Sequence, residues 1–119
     1  MNITAELTKL DEVLKFMQTN VTGEVSEQWN TVQLTLALLE KEAKRLLLPW
    51  GYVRQKSTSL RYHLAVLFGV EDDGGHTQQM HVVWALGDIQ ALRSEHCFGP
   101  ALDREARGAR HGDDWKTVQ

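Results

Sequence analysis

The chain has 119 residues, 42% of them hydrophobic and 24% charged, with 13 basic and 16 acidic side chains and a net charge of −3. That length gives one domain with a modest core and excludes two. The composition excludes a disordered or collagen-like segment, and charge spread evenly along the chain excludes an acidic nucleic-acid mimic and argues against a strongly basic nucleic-acid binder.

Residues Met1–Glu6 show no basic stretch leading into an apolar one, so no secretory leader is expected. No run approaches the roughly 20 apolar residues of a membrane helix. Cys97 is the single cysteine. It cannot form a disulfide within one chain and fits a reducing compartment, so a cytoplasmic location is expected.

Two helices are predicted over the first 48 residues. Ile3, Leu7, Leu10, Leu14, Met17 and Val21 recur at alternating steps of four and three. Val25, Trp29, Val32, Leu36, Leu39, Ala43 and Leu46 do the same. Such spacing puts apolar side chains on one helical face. A turn is expected around Gly23, with Thr22 or Ser26 capping the second helix; a single helix with a stutter is the alternative. Leu34, Leu38 and Leu48 widen the second apolar face, and Pro49 ends the helix.

Beyond Pro49 the apolar period shortens to two. Leu60, Tyr62, Leu64, Val66, Phe68 and Val70 alternate with their neighbours, and so do Met80, Val82, Trp84 and Leu86. Both runs predict strands, and Asp73-Gly74-Gly75 between them predicts a hairpin. Tyr52–Gln55 is a candidate for a short further strand. Gly87–Arg93 continues the strand or makes one helical turn. Pro100–Arg107 reads as a short helix closed by Gly108.

The expected fold class is therefore α+β. An N-terminal antiparallel helical hairpin packs on a small antiparallel β-hairpin or sheet, with a short C-terminal helix. One domain covers residues 1–107, followed by a polar tail over residues 108–119 that frays unless Trp115 anchors it. Two strands alone are marginal in water, so self-association is expected, with a dimer through helix pairing favoured.

Several groups carry candidate chemistry. His63, His81 and Arg61 share the less apolar face of the expected hairpin. Two imidazoles on neighbouring strands form half a zinc site or a proton-transfer pair, against the plainer reading of half-exposed strand residues. Glu71, Asp72, Asp73 and His76 flank a glycine turn, but without the spacing of an EF-hand loop. A solvated turn explains them equally. Cys97 follows His96, yet adjacent side chains on an extended chain diverge, so a buried structural thiol is the better reading. Arg54, Lys56 and Arg61, interleaved with Trp50, Tyr52 and Tyr62, suit an anion or a single nucleic-acid strand. Trp29 and Trp84 fall on apolar faces and read as core. Trp115 in the polar tail is a candidate partner contact.

No nucleotide loop, paired-cysteine motif, zinc-protease helix or nucleophile elbow occurs. No cofactor or metal is implied, and no coherent catalytic set argues for an enzyme. The expected function is that of a small self-associating binding protein acting through protein contacts, with Trp29, Leu34, Leu36, Leu38, Leu39 and Trp115 at the interface. The rival expectation is a small-ligand site or simple enzyme built on Arg61, His63 and His81. A third is anion or single-strand binding through Arg54, Lys56 and Arg61.

Overall fold

The structure, a computed structural model, describes residues 2–19 and 25–118, with side chains placed for residues 2–18 and 25–108. The described residues form five helices: α1 (Ile3–Thr19), α2 (Ser26–Arg45), α3 (Trp50–Leu67), α4 (Gln78–Leu92) and α5 (Gly99–Val118). There is no strand among the described residues, and the expected α+β class gives way to an all-helical fold. Helix α1 packs against α2, α4 and α5, and α3 packs against α2 and α4. The first four helices thus close into a ring. Ile3 shares a cleft with Glu42 and Leu46, so α1 starts where α2 ends. Met17 shares another with Leu67, Gln78 and Gln79, so α1 and α3 end where α4 starts. This is an up-down-up-down bundle, the arrangement that short connections favour.

The predicted stripes on α1 and α2 form its centre. Leu7, Leu10, Leu14, Val32, Leu36, Leu39 and Ala43 are buried. Val21, Thr22 and Gly23 lie outside the described residues, so the expected turn and Thr22 cap do too. Ser26 is the first residue of α2, and Val25, not Ser26, occupies the N-cap position.

Both predicted strands are helices. Leu60 to Val70 runs through α3 and the loop after it, and Met80 to Leu86 lies inside α4. Burial does not alternate there. Ala65, Val66 and Leu67 are all buried, while Tyr62 and Val70 are exposed. The row that decides α3 is Val53, Ser57, Leu60, Leu64 and Leu67, buried at steps of four and three. Ser57 belongs to that core row because its hydroxyl donates to Glu40 Oε1 at 2.9 Å. In α4 the buried row is Val82, Ala85, Ile89 and Leu92. The expected strand over Tyr52–Gln55 is the start of α3, and the C-terminal helix extends past Gly108.

Contacts distant in sequence hold α1 at its start and at its middle. The Glu105 carboxylate of α5 accepts from the Ile3 N–H at 2.7 Å, the Thr4 N–H at 2.9 Å and the Thr4 hydroxyl at 2.7 Å. A carboxylate at a helix N-terminus satisfies orphan donors and the helix dipole together. Burial opposes ionisation there, but these hydrogen bonds hold Glu105 below its ordinary 4.5. Arg93, capping α4, reaches both Asp11 oxygens of α1.

Two helix ends compare directly. After α3, Gly69 takes φ +79° while its N–H bonds Val66 O and the Val70 N–H bonds Ala65 O. After α2, Leu47 takes φ +58° with the same two bonds, to Lys44 O and from Leu48 to Ala43 O. A left-handed leucine is strained where glycine is not, and Leu47 is 90% exposed, so no burial compensates. Leu47→Gly is expected to stabilise the fold by about 0.5–1 kcal/mol after glycine's larger chain entropy is counted. Gly99 is the opposite case, since a Cβ there would lie 2.7 Å from the Ser94 carbonyl oxygen. Gly99→Ala is expected to cost about 1–3 kcal/mol. Urea unfolding of the two variants checks both signs.

Candidate functional site

The α3–α4 interface carries a concentration of polar and aromatic groups. Lys56, Ser59 and His63 follow one another at i, i+3 and i+7 on α3, and His81, Trp84 and Asp88 do so on α4. That spacing keeps each trio on one helical face. Together with Tyr62, Gly74, His76, Val83 and Gly87 they line a groove of about 750 Å³. Small-molecule sites span roughly 300–1,000 Å³.

The centre of the groove wall is a histidine pair. His63 Nδ1 and His81 Nδ1 lie 2.9 Å apart. His81 is 0% exposed, and its Nε2 lies 2.9 Å from the Asp73 carbonyl oxygen. A carbonyl only accepts, so His81 Nε2 carries the hydrogen. In the neutral ring Nδ1 is then the acceptor. His63 must therefore donate from Nδ1, and its Nε2 is left as the one unprotonated nitrogen outside the pair. Burial holds the His63 imidazole below its ordinary 6.5; the Asp88 charge works against this, and neighbouring His81 works with it.

The loop between α3 and α4 is tied to the pair. The Tyr62 hydroxyl donates to the Asp72 carbonyl at 3.0 Å, and His81 holds the next carbonyl. Gly74 and Gly75 both have positive φ, and the Gly75 N–H donates to Asp73 Oδ1 at 2.8 Å. The Asp-Gly-Gly chemistry thus turns the chain between helices instead of between strands. Thr77 then caps α4 by accepting from the Met80 N–H at 3.2 Å. Of the acidic group at the turn, Asp72 and Asp73 contribute carbonyls to the site. No group of three or more His, Cys, Asp or Glu that could hold a metal ion occurs among the described residues.

One end of the groove is charged. Ser59 Oγ donates to Asp88 Oδ2 at 2.6 Å. Burial raises the Asp88 carboxyl above its ordinary 3.8, against the Ser59 bond and the charges of His63 and Lys56. In a Ser-His-Asp triad the hydroxyl must donate to the imidazole. Here it donates to the carboxylate, so Ser59 is not activated as a nucleophile. The other end is aromatic. The Trp84 ring lies 5.2 Å from that of His63, 5.4 Å from His81 and 5.0 Å, edge to face, from His76.

The remaining expected site residues are dispersed. Arg61 sits 3.6 Å from Glu40 of α2, away from the histidines. Two residues share a face in a strand but take opposite sides of a helix, so the expected Arg61–His63 grouping fails for the same reason as the strand. Arg54 is exposed, and Lys56 lies over the Tyr52 ring at 5.5 Å, so Arg54, Lys56 and Arg61 do not converge. Leu36 and Leu39 are core residues and Trp29 is partly buried, 5.4 Å from the Phe68 ring. Leu34 and Leu38 are exposed, at 63% and 37%. The Trp115 side chain lies outside the described ones. Cys97 is buried, and burial raises its thiol above the ordinary 9.0, against Lys56 and Ser94. Its thiolate is scarce near neutrality. Sequence reasoning missed Ser59, Asp88 and the groove face of Trp84; their i, i+3, i+7 spacing was the available signal.

Comparison with protein-family models, curated proteins and solved structures finds no match to this chain, so its chemistry alone defines the site.

A histidine held below its ordinary value makes stability depend on pH. Between the folded value and 6.5 the unfolded chain binds more protons, so the His63 contribution is complete above 6.5 and is lost as pH falls through the folded value. Asp88, raised above 3.8, acts with the opposite sign. The stability difference between the protein and His63→Gln is therefore expected to be largest above pH 6.5 and to shrink on acidification. Urea unfolding across that range measures it; a difference that grows towards acid contradicts the assignment.

Proposed function

We propose that this chain is a binding protein for a small molecule and that the α3–α4 groove holds it. One observation carries the proposal: a hydrogen-bonded histidine pair, one member fully buried, forms the wall of an open groove. Apolar residues at those positions would serve a four-helix core at least as well, because a paired polar group is worth little net and is costly if left half-made. Polar groups converging on a concave surface are the ordinary mark of a binding site. Cytoplasmic residence, expected from the lone cysteine, belongs to the same proposal. Among the described residues no helix is long and apolar enough to cross a membrane.

The test separates a functional pair from a structural one. The double variant His63→Leu/His81→Leu is expected to unfold within about 1 kcal/mol of the native protein. The single variant His81→Leu, which strands the Asp73 carbonyl and the His63 donor, is expected to lose about 1–3 kcal/mol. A fragment library screened by two-dimensional NMR should shift amides around Gly74, Trp84 and Gly87 in the native protein and not in the double variant. Hits confined to other surfaces, or a double variant that fails to fold, would count against the groove.

Self-association is a second proposal, supported by a separate observation. Outside the groove lining α4 exposes Met80 and Leu86, with Val83 exposed at the groove itself, and α2 exposes Leu34 and Leu38. A helix apolar on both sides seeks a second neighbour. Light scattering should show a dimer that dissociates on dilution and is lost in Leu86→Lys. A monomer at all concentrations would refute it.

A further inference from the structure

We propose that the groove takes its ligand as a weak acid, an aromatic ring bearing a carboxylate or similar oxyanion, with the accompanying proton held on His63 Nε2. The proposal rests on the groove being the ligand site and adds what that ligand is.

The hydrogen-bond chain decides where a proton can go. His81 Nε2 donates to the Asp73 carbonyl, and the two Nδ1 atoms share one hydrogen across 2.9 Å. A proton added at His81 Nδ1 would set two N–H groups against each other across that distance. A proton added at His63 Nε2 leaves every bond of the chain in place, because a protonated His63 still donates from Nδ1. An anion that binds from solution therefore brings one proton from water, which forms the Nε2–H bond. If the ligand arrives as the neutral acid, its O–H bond breaks as that N–H bond forms. In both cases the product is an imidazolium hydrogen-bonded to an oxyanion, the stronger kind of hydrogen bond.

The charged and titratable groups around His63 come from three elements: Lys56 and Tyr62 on α3, His81 and Asp88 on α4, and His76 on the loop. Asp88, its Oδ2 bonded by Ser59, favours the imidazolium. Lys56 adds a second cation along the groove. The ring has its own place. Trp84 and Tyr62 supply aromatic surface, and at Gly87 a Cβ would meet nothing within 4 Å, so there is open space beside that residue of the α4 wall.

The probes are benzoate and the neutral benzamide, titrated by NMR between about pH 5.5 and 8.5, the range over which histidine changes charge. Benzoate is expected to shift groove amides and to bind about tenfold more weakly for each pH unit above the His63 titration. His63→Gln should abolish that pH dependence. Lys56→Gln should weaken benzoate binding without changing its slope. Benzoate affinity that is independent of pH, or benzamide binding as tightly as benzoate, overturns the acid-ligand proposal while leaving the groove as a ligand site. If neither probe shifts any groove amide, both proposals fail.

Discussion

The hydrogen bond between His63 Nδ1 and His81 Nδ1 joins α3 to α4 and, through the Asp73 carbonyl, both helices to the loop between them. Three successive elements meet here through one polar chain with a forced direction. A bond between two identical groups has no inherent polarity. Here the carbonyl at one end supplies it, because a carbonyl cannot donate. The protonation pattern of both rings, and so the character of the nitrogen left free, follows from one backbone oxygen.

The bundle tolerates this chain because its apolar core lies elsewhere. Leu7, Leu10, Leu14, Leu36, Leu39, Leu60 and Leu64 fill the centre of the ring, and the polar trios run along one outer seam. Replacing the seam with leucines would give a simpler bundle. Keeping it costs stability that the core can supply, the usual relation between a folded scaffold and its site. Three other groups with candidate chemistry are engaged elsewhere. Ser59 is bonded to Asp88, Cys97 is buried with its thiol raised, and Arg61 faces Glu40. The groove itself keeps His63, His81, Trp84 and Lys56, the groups on which the proposed binding role rests.

Half of this fold was legible in the sequence, and the other half was hidden for identifiable reasons. The stripes of α1 and α2 contain only apolar residues at core positions, so their helical period is plain. In α3 the core row passes through Ser57, satisfied by Glu40, and this polar member breaks the stripe and leaves the accidental alternation of Leu60 to Val70 more visible. In α4 the exposed residues Met80, Val83 and Leu86 are apolar too, so no face stands out. The loop misled for a different reason. Positive-φ glycines after an aspartate turn a chain equally well between helices and between strands. The pairing of His63 with His81 was anticipated on the wrong scaffold, since the same loop brings them together in both. Ser59 and Asp88 could be found only once the helical period was known.

The direction of the histidine bond is open to direct observation. Long-range proton–nitrogen correlation spectra of the imidazole rings, recorded on the full chain at alkaline pH, distinguish the two neutral tautomers. The account predicts opposite tautomers in one protein: hydrogen on Nε2 in His81 and on Nδ1 in His63. If both rings carry hydrogen on Nε2, or if their signals average as free imidazoles do, the bridge does not exist in solution and the account built on it is wrong.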